Sequence, residues 1–170
     1  RGLDLLVSFQ QLSDDWHTEY QLSNSADGLI LLGYGDYMSS MPRLQKLAEA
    51  GANFVIWGPD VDGTPGRYIR TDNTAGGLQA TRHLLRLGRK RIAHCDGSSD
   101  RWPEFQARCS GYERALREAG IEPDPRLSVE AQSSEQAGHE AATGLLDSGV
   151  PFDAIFAASD LIAMGAIGAL

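Results

Sequence analysis

Short apolar runs alternate with amphipathic stretches along this chain, and the alternation predicts its elements. Leu3 to Phe9 reads as a strand and Asp14 to Leu22 as a weak helix candidate. Gly28 to Leu32 is an unbroken apolar run, which predicts a strand buried on both faces. Met41 to Ala50 reads as a helix: Leu44, Leu47 and Ala48 share a face, Ser40 can cap it, Pro42 sits in its first turn and Gly51 stops it. Phe54 to Trp57 is a third strand. Pro59 to Arg67 is rich in Gly, Pro and Asp and predicts a loop.

The second half repeats the alternation. After the short segment Tyr68 to Arg70, a helix is expected over Thr74 to Leu87, closed by Gly88. A strand is expected over Arg91 to Cys95. A helix over Phe105 to Ala119 ends at Gly120-Ile121, which fits a Schellman stop. Leu127 to Glu130 reads as a short strand. Ser133-Ser134-Glu135-Gln136 has the S-x-x-Q form of a capping box, with a helix following to about Asp147. Phe152 to Ala158 is a strand, and Leu161 to Leu170 is so apolar that it predicts a buried helix. Such strand–helix repetition predicts an α/β fold of parallel sheets flanked by helices. The chain opens on a strand and stops inside a helix without a cap signal, so flanking parts of the sheet are expected outside it.

Composition narrows the function. Hydrophobic residues make up 42% and charged residues 22%, a globular balance with no run as long as a membrane span. The net charge of −8 repels a phosphate backbone, so DNA contact would need a separate basic module. Cys95 and Cys109 read as two reduced thiols, which suits a cytoplasmic protein.

Four blocks carry a family resemblance. They are Ala26-Asp27-Gly28-Leu29-Ile30-Leu31; Asp72-Asn73-Thr74-Ala75-Gly76-Gly77 with its continuation through Ala93; Arg108 with Gly111-Tyr112, Ala115-Leu116 and Ala119-Gly120; and Phe152 through Asp160 with Ala163-Met164-Gly165-Ala166. In this order and spacing the chain resembles the effector-binding core of LacI/GalR transcription repressors. The resemblance implies a two-lobed, periplasmic-binding-protein-like fold, with the N-terminal lobe over residues 1–88 and the C-terminal lobe over 89–170, both partial. It implies a small effector, a sugar or sugar derivative, held between the lobes. Allosteric control of operator DNA would pass through a helix-turn-helix outside this chain, in a homodimer.

Sugar hydroxyls are read by carboxylates and guanidinium forks, and sugar faces by aromatic rings. In open α/β sheets these groups stand just beyond the carboxyl ends of strands. Asp72 and Asp160 occupy such positions, each between a strand and a helix; the ordinary alternative for both is a helix N-cap. Arg108 matches the family's arginine three residues before the Gly-aromatic pair; otherwise it is a solvated surface arginine. Many relatives place an aromatic where this chain has Ser133, and Trp102 is a candidate replacement, or else a half-buried loop tryptophan. Tyr34, in Tyr34-Gly35-Asp36-Tyr37, is a further contact candidate or part of a turn.

Rival chemistries are weaker. Asp60-Val61-Asp62-Gly63-Thr64 has the form used by haloacid-dehalogenase-type phosphatases, but Gly58-Pro59 separates it from the preceding strand and no Asp-Asp pair completes a Mg²⁺ site. There is no nucleophile elbow or P-loop, and Gly33-Tyr34-Gly35 lacks the third glycine of a dinucleotide fingerprint. His94, Cys95, Cys109 and His139 match no common zinc spacing, and His94 and Cys95 fall on opposite faces of one strand. No enzyme activity, cofactor, metal or membrane partner is therefore expected. A periplasmic sugar-binding protein of a transporter is the alternative with the same pocket logic.

Overall fold

A computed structural model of the chain describes residues 2, 4–7, 26–32, 37–58, 66–96 and 102–170. The candidate helix at 14–22, Tyr34 and the Asp60/Asp62 motif lie outside the described residues. Backbone contacts divide the chain into two compact units, Arg1–Thr71 and Asp72–Leu170.

The described elements of the first unit are β1 (Leu29–Leu32), α1 (Tyr37–Glu49), β2 (Phe54–Trp57) and β3 (Arg67–Ile69). The strands form one parallel sheet in the order β1-β2-β3, with Leu29 opposite Phe54 and Val55 opposite Arg67. Leu44 and Leu47 of α1 pack on Phe54 and Ile56, against Leu29 and Leu31. The expectation that β1 is buried on both faces is corrected: Ile30 is 66% and Leu32 75% exposed, so its period of two separates a core face from an open one. Of the strand expected over residues 3–9, residues 4–7 are irregular, and the rest lie outside the described residues. Helix α1 starts before the expected Ser40 cap and runs through Pro42. A proline removes a single helical hydrogen bond, which a helix packed on a sheet can absorb. Gly51, at φ +70°, follows this helix as expected.

The second unit contains α2 (Asn73–Arg86), β4 (Ile92–Asp96), α3 (Pro103–Glu118), a 3₁₀ turn (Pro125–Leu127), β5 (Ser128–Glu130), α4 (Glu135–Asp147), β6 (Ala154–Ala157) and α5 (Asp160–Ala169). Its sheet is parallel in the order β5-β4-β6, and every residue of the central β4 is buried. On one face Ile92 and Phe156 pack with Tyr112 and Leu116 of α3 and with Leu84 and Leu85 of α2. On the other, Ala93 and Cys95 pack with Ala141 and Leu145 of α4 and Ile162 of α5. Helices therefore cover both faces, the arrangement that the buried β4 requires. The expected lobe boundary at Gly88/Arg89 falls inside this unit, because α2 packs on α3.

Each helix pair closes on reciprocal glycines. A Cβ on Gly77 would strike the Arg108 carbonyl, and one on Gly111 the Thr74 carbonyl, so α2 and α3 cross backbone to backbone. Gly138 meets Ile162 and Gly165 meets Glu135 in the same way where α4 crosses α5. The predicted Schellman stop is present: Ile121 N–H donates to the Leu116 carbonyl and Gly120 N–H to that of Arg117, both at 3.0 Å, with Gly120 at φ +72°. Helix α5 is not buried all round as expected. Met164 and Ile167 are 55% and 73% exposed, while Ile162, Gly165 and Ala166 face the core.

Candidate functional site

Asp72, Trp102, Arg108, Ser133 and Asp160 all belong to the second unit, and all lie at or near the first turns of helices. Such helix ends present backbone N–H groups and the positive ends of helix dipoles. Asp72 is exposed and caps α2, one carboxylate oxygen accepting from Ala75 N–H at 2.8 Å. The second oxygen is not used in that bond, so capping and ligand contact are compatible. The sequence reading put Asp72 on a different lobe from Arg108 and Asp160; the structure groups the three in one unit.

Arg108 is held from three directions. Its Nε donates to Asn73 Oδ1 at 2.9 Å, one Nη donates to the Ala158 carbonyl at 2.5 Å, and its guanidinium lies 5.3 Å from the centre of the Phe105 ring. The half-buried fork thus ties the start of α2 to the end of β6, and it is not a freely solvated arginine. These contacts restrain a side chain that otherwise loses much rotamer entropy on engaging a ligand. Asp160 is the first residue of α5 and exposed, but the cap is Ser159, whose hydroxyl accepts from Ile162 N–H at 3.3 Å. The Asp160 carboxylate is therefore spared from capping.

Ser133 is not the residue that caps α4. The cap of α4 is Ser134, whose Oγ accepts from Ala137 N–H at 3.1 Å, so the S-x-x-Q reading was one residue early. Ser133 Oγ instead hydrogen-bonds Ser159 Oγ at 3.0 Å, joining the loop before α4 to the start of α5. Ser134→Ala should cost about 1 kcal/mol in a urea titration, and Ser133→Ala clearly less; equal losses would return the cap to Ser133. Trp102 is half-buried at the N-cap position of α3, where its carbonyl accepts from Phe105 and Gln106 N–H groups. Asn73 and Ser159, which position Arg108 and Ser133, were not singled out from sequence; both are immediate neighbours of the candidate carboxylates.

A second polar group lies on β4. His94 is fully buried on β4, stacked near Tyr112 and Phe156, and burial holds its pKa down to about 4. It is therefore neutral near pH 7. Its neighbours Asp96 and Cys109 complete a cluster that the sequence reading did not assemble, because Asp96 joins His94 only through the period of two in β4. In the first unit, an open depression of about 510 Å³ is lined by Gly28, Asn53, Phe54 and Arg67 among others. It surrounds the starts of β1, β2 and β3, away from the carboxyl ends where sheet ligands bind.

The model for periplasmic binding proteins and the sugar-binding domain of the LacI family matches residues 11–170. The chain belongs to that family. It is 36% identical to the HTH-type transcriptional regulator CelR of Thermobifida fusca over 89% of its own length and 44% of the relative's. It is 33% identical to the HTH-type transcriptional regulator DegA of Bacillus subtilis over 99% and 50% of the two chains. A LacI-family regulatory protein from Chloroflexus aggregans superposes with a TM-score of 0.81 at 25% identity, covering 91% of this chain and 54% of that one. The structure of the CelR–cellobiose complex superposes at 0.76 with 33% identity, covering 92% and 47%. The chain thus spans about half the length of the relatives it matches. Within the family it groups with the LacI/GalR effector-binding cores, whose parallel sheets and flanking helices the fold reproduces.

Proposed function

We propose that this LacI/GalR core senses a small sugar or sugar derivative for a transcription regulator, and that it is not itself a catalyst. The observation that carries the reading is Arg108, braced by Asn73, the residue after Asp72, and by the carbonyl of Ala158, two residues before Asp160. A fixed guanidinium fork together with carboxylate acceptors is the chemistry that reads a ring bearing neighbouring hydroxyls. Trp102 supplies an aromatic face and Ser133 a hydroxyl. Cellobiose, the ligand of the CelR complex, makes a β-glucoside the first class to test.

Effector binding would be linked to operator binding by a helix-turn-helix outside these residues, in a cytoplasmic homodimer. The net charge of −8 disfavours DNA contact by the core itself. Linkage requires that the effector bind the DNA-competent and DNA-incompetent states with different affinity. Among the described residues no helix is long and apolar enough to cross a membrane. The periplasmic transporter alternative is less favoured, since the relatives found are regulators.

Two measurements test this. Calorimetric titration of a panel of mono- and disaccharides into the chain should give saturable one-site binding for a sugar. Sequencing upstream of the Arg1 codon should reveal a helix-turn-helix. A signal peptide there would overturn the regulator reading while leaving the sugar site intact.

A further inference from the structure

We propose that His94, Asp96 and Cys109 form a buried site for one thiophilic divalent cation, best matched by zinc. His94 and Asp96 stand two residues apart on one face of β4, and Cys109 reaches the same place from α3. Their candidate ligand atoms all lie within 4.8 Å of one another, and His94 Nε2 is 3.7 Å from Asp96 Oδ2. Zinc bonds of about 2.0–2.3 Å in a tetrahedron separate ligand atoms by about 3.3–3.8 Å. One pair already has that spacing, and the others need close by no more than about 1–1.5 Å for such bonds to form.

The ring of His94 supplies an independent observation. It is fully buried, yet neither ring nitrogen has a hydrogen-bond partner among the described residues. Buried polar atoms in that condition are uncommon and costly. The near-parallel rings of Tyr112 and Phe156, with centroids 4.8 and 5.3 Å away, fix the plane of the imidazole. A neutral imidazole offers one nitrogen lone pair to a metal.

Charge selects the cation. A divalent ion with one thiolate and one carboxylate sums to zero, the balance that a buried site tolerates. A free cysteine thiol is protonated near pH 7 and ligates a metal as the thiolate. Binding is then Cys109–SH plus M²⁺ giving Cys109–S–M⁺ plus H⁺, with one proton released and no redox change. Cys109 is only half-buried, which offers a route in, whereas Cys95 faces the opposite side of β4. A metal here would brace β4 against α3 immediately beside Arg108.

The test is titration of the metal-free 170-residue chain with Co²⁺ and then Zn²⁺. One equivalent of Co²⁺ should produce a thiolate-to-cobalt charge-transfer band, with one proton released per metal, and Zn²⁺ should displace it. Zinc at about a hundred times its Kd should raise Tm by about 5–10 °C. Cys109→Ser should abolish the band and Asp96→Asn should weaken metal binding at least about tenfold, whereas Cys95→Ala should leave the band in place. The proposal is overturned if the wild-type chain shows no band, or if the band survives Cys109→Ser. The wild-type band and proton count need no variant, so a poorly folding mutant does not blunt the test.

Discussion

Gly165→Ala should destabilise the second unit by about 3 kcal/mol or more. The new methyl would overlap the Glu135 carbonyl and crowd His139 N, both backbone groups of α4 that no rotamer change can move aside. Helices α4 and α5 would have to separate, opening the layer where Ile162 packs on Ala93, Cys95 and Leu145. Alanine's better helix propensity, worth about 1 kcal/mol, works in the opposite direction and does not compensate. Gly144→Ala is the control: it is an exposed position within α4 with open space at its Cβ, so it should gain about 0.5–1 kcal/mol. Urea melts of the two variants should therefore shift in opposite directions. Equal stability of the two would mean that the close crossing of α4 and α5 is not real. Gly111→Ala should behave like Gly165→Ala, and it would also displace α2 from α3 where Asn73 holds Arg108.

Asp160→Ala and Arg108→Ala should each weaken effector binding about 10- to 100-fold, the loss of about 1–3 kcal/mol expected for a charged hydrogen-bond partner. Stability separates the two. Asp160 is exposed and outside the cap, so its removal should leave Tm within about 1–2 °C of the parent. Arg108→Ala strands Asn73 Oδ1 and the Ala158 carbonyl, and should also cost stability, about 1–2 kcal/mol. Arg108→Lys keeps the charge but cannot span Asn73, Ala158 and a ligand with one fork, so most of the affinity loss should persist. Calorimetry with the sugar that binds the parent chain, paired with thermal melts, checks both. Unchanged affinity in Asp160→Ala would remove that carboxylate from the site.

Much of the local architecture was legible before any coordinates. The order of strands and helices from Gly28 onward, the glycine stops at Gly51, Gly88 and Gly120, and the separation of His94 from Cys95 across β4 all follow from spacing within a few residues. Capping was less legible: Ser40, the expected cap of α1, lies inside that helix, and the cap of α4 was offered one residue early. Ser133 and Ser134 are chemically equivalent candidates, and the choice fell to Ser134 because Ser133 finds Ser159, 26 residues away. Burial was the least legible property. The apolar runs of β1 and α5 look fully buried in sequence, yet Ile30, Leu32, Met164 and Ile167 are exposed.

The sequence by itself determined the α/β alternation, the family and the identity of the candidate ligand groups, because each is written in local period or in ordered motifs. The tertiary structure decided what those groups do. It bound Arg108 to Asn73 and Ala158, which lie 35 and 50 residues away, took α2 into the second unit, and brought Cys109 to His94 and Asp96. The physical reason is that hydrophobic periodicity reports only which side of an element faces a partner. Which partner, and how closely, is set where helices cross, and here Gly77, Gly111, Gly138 and Gly165 let backbones approach to contact.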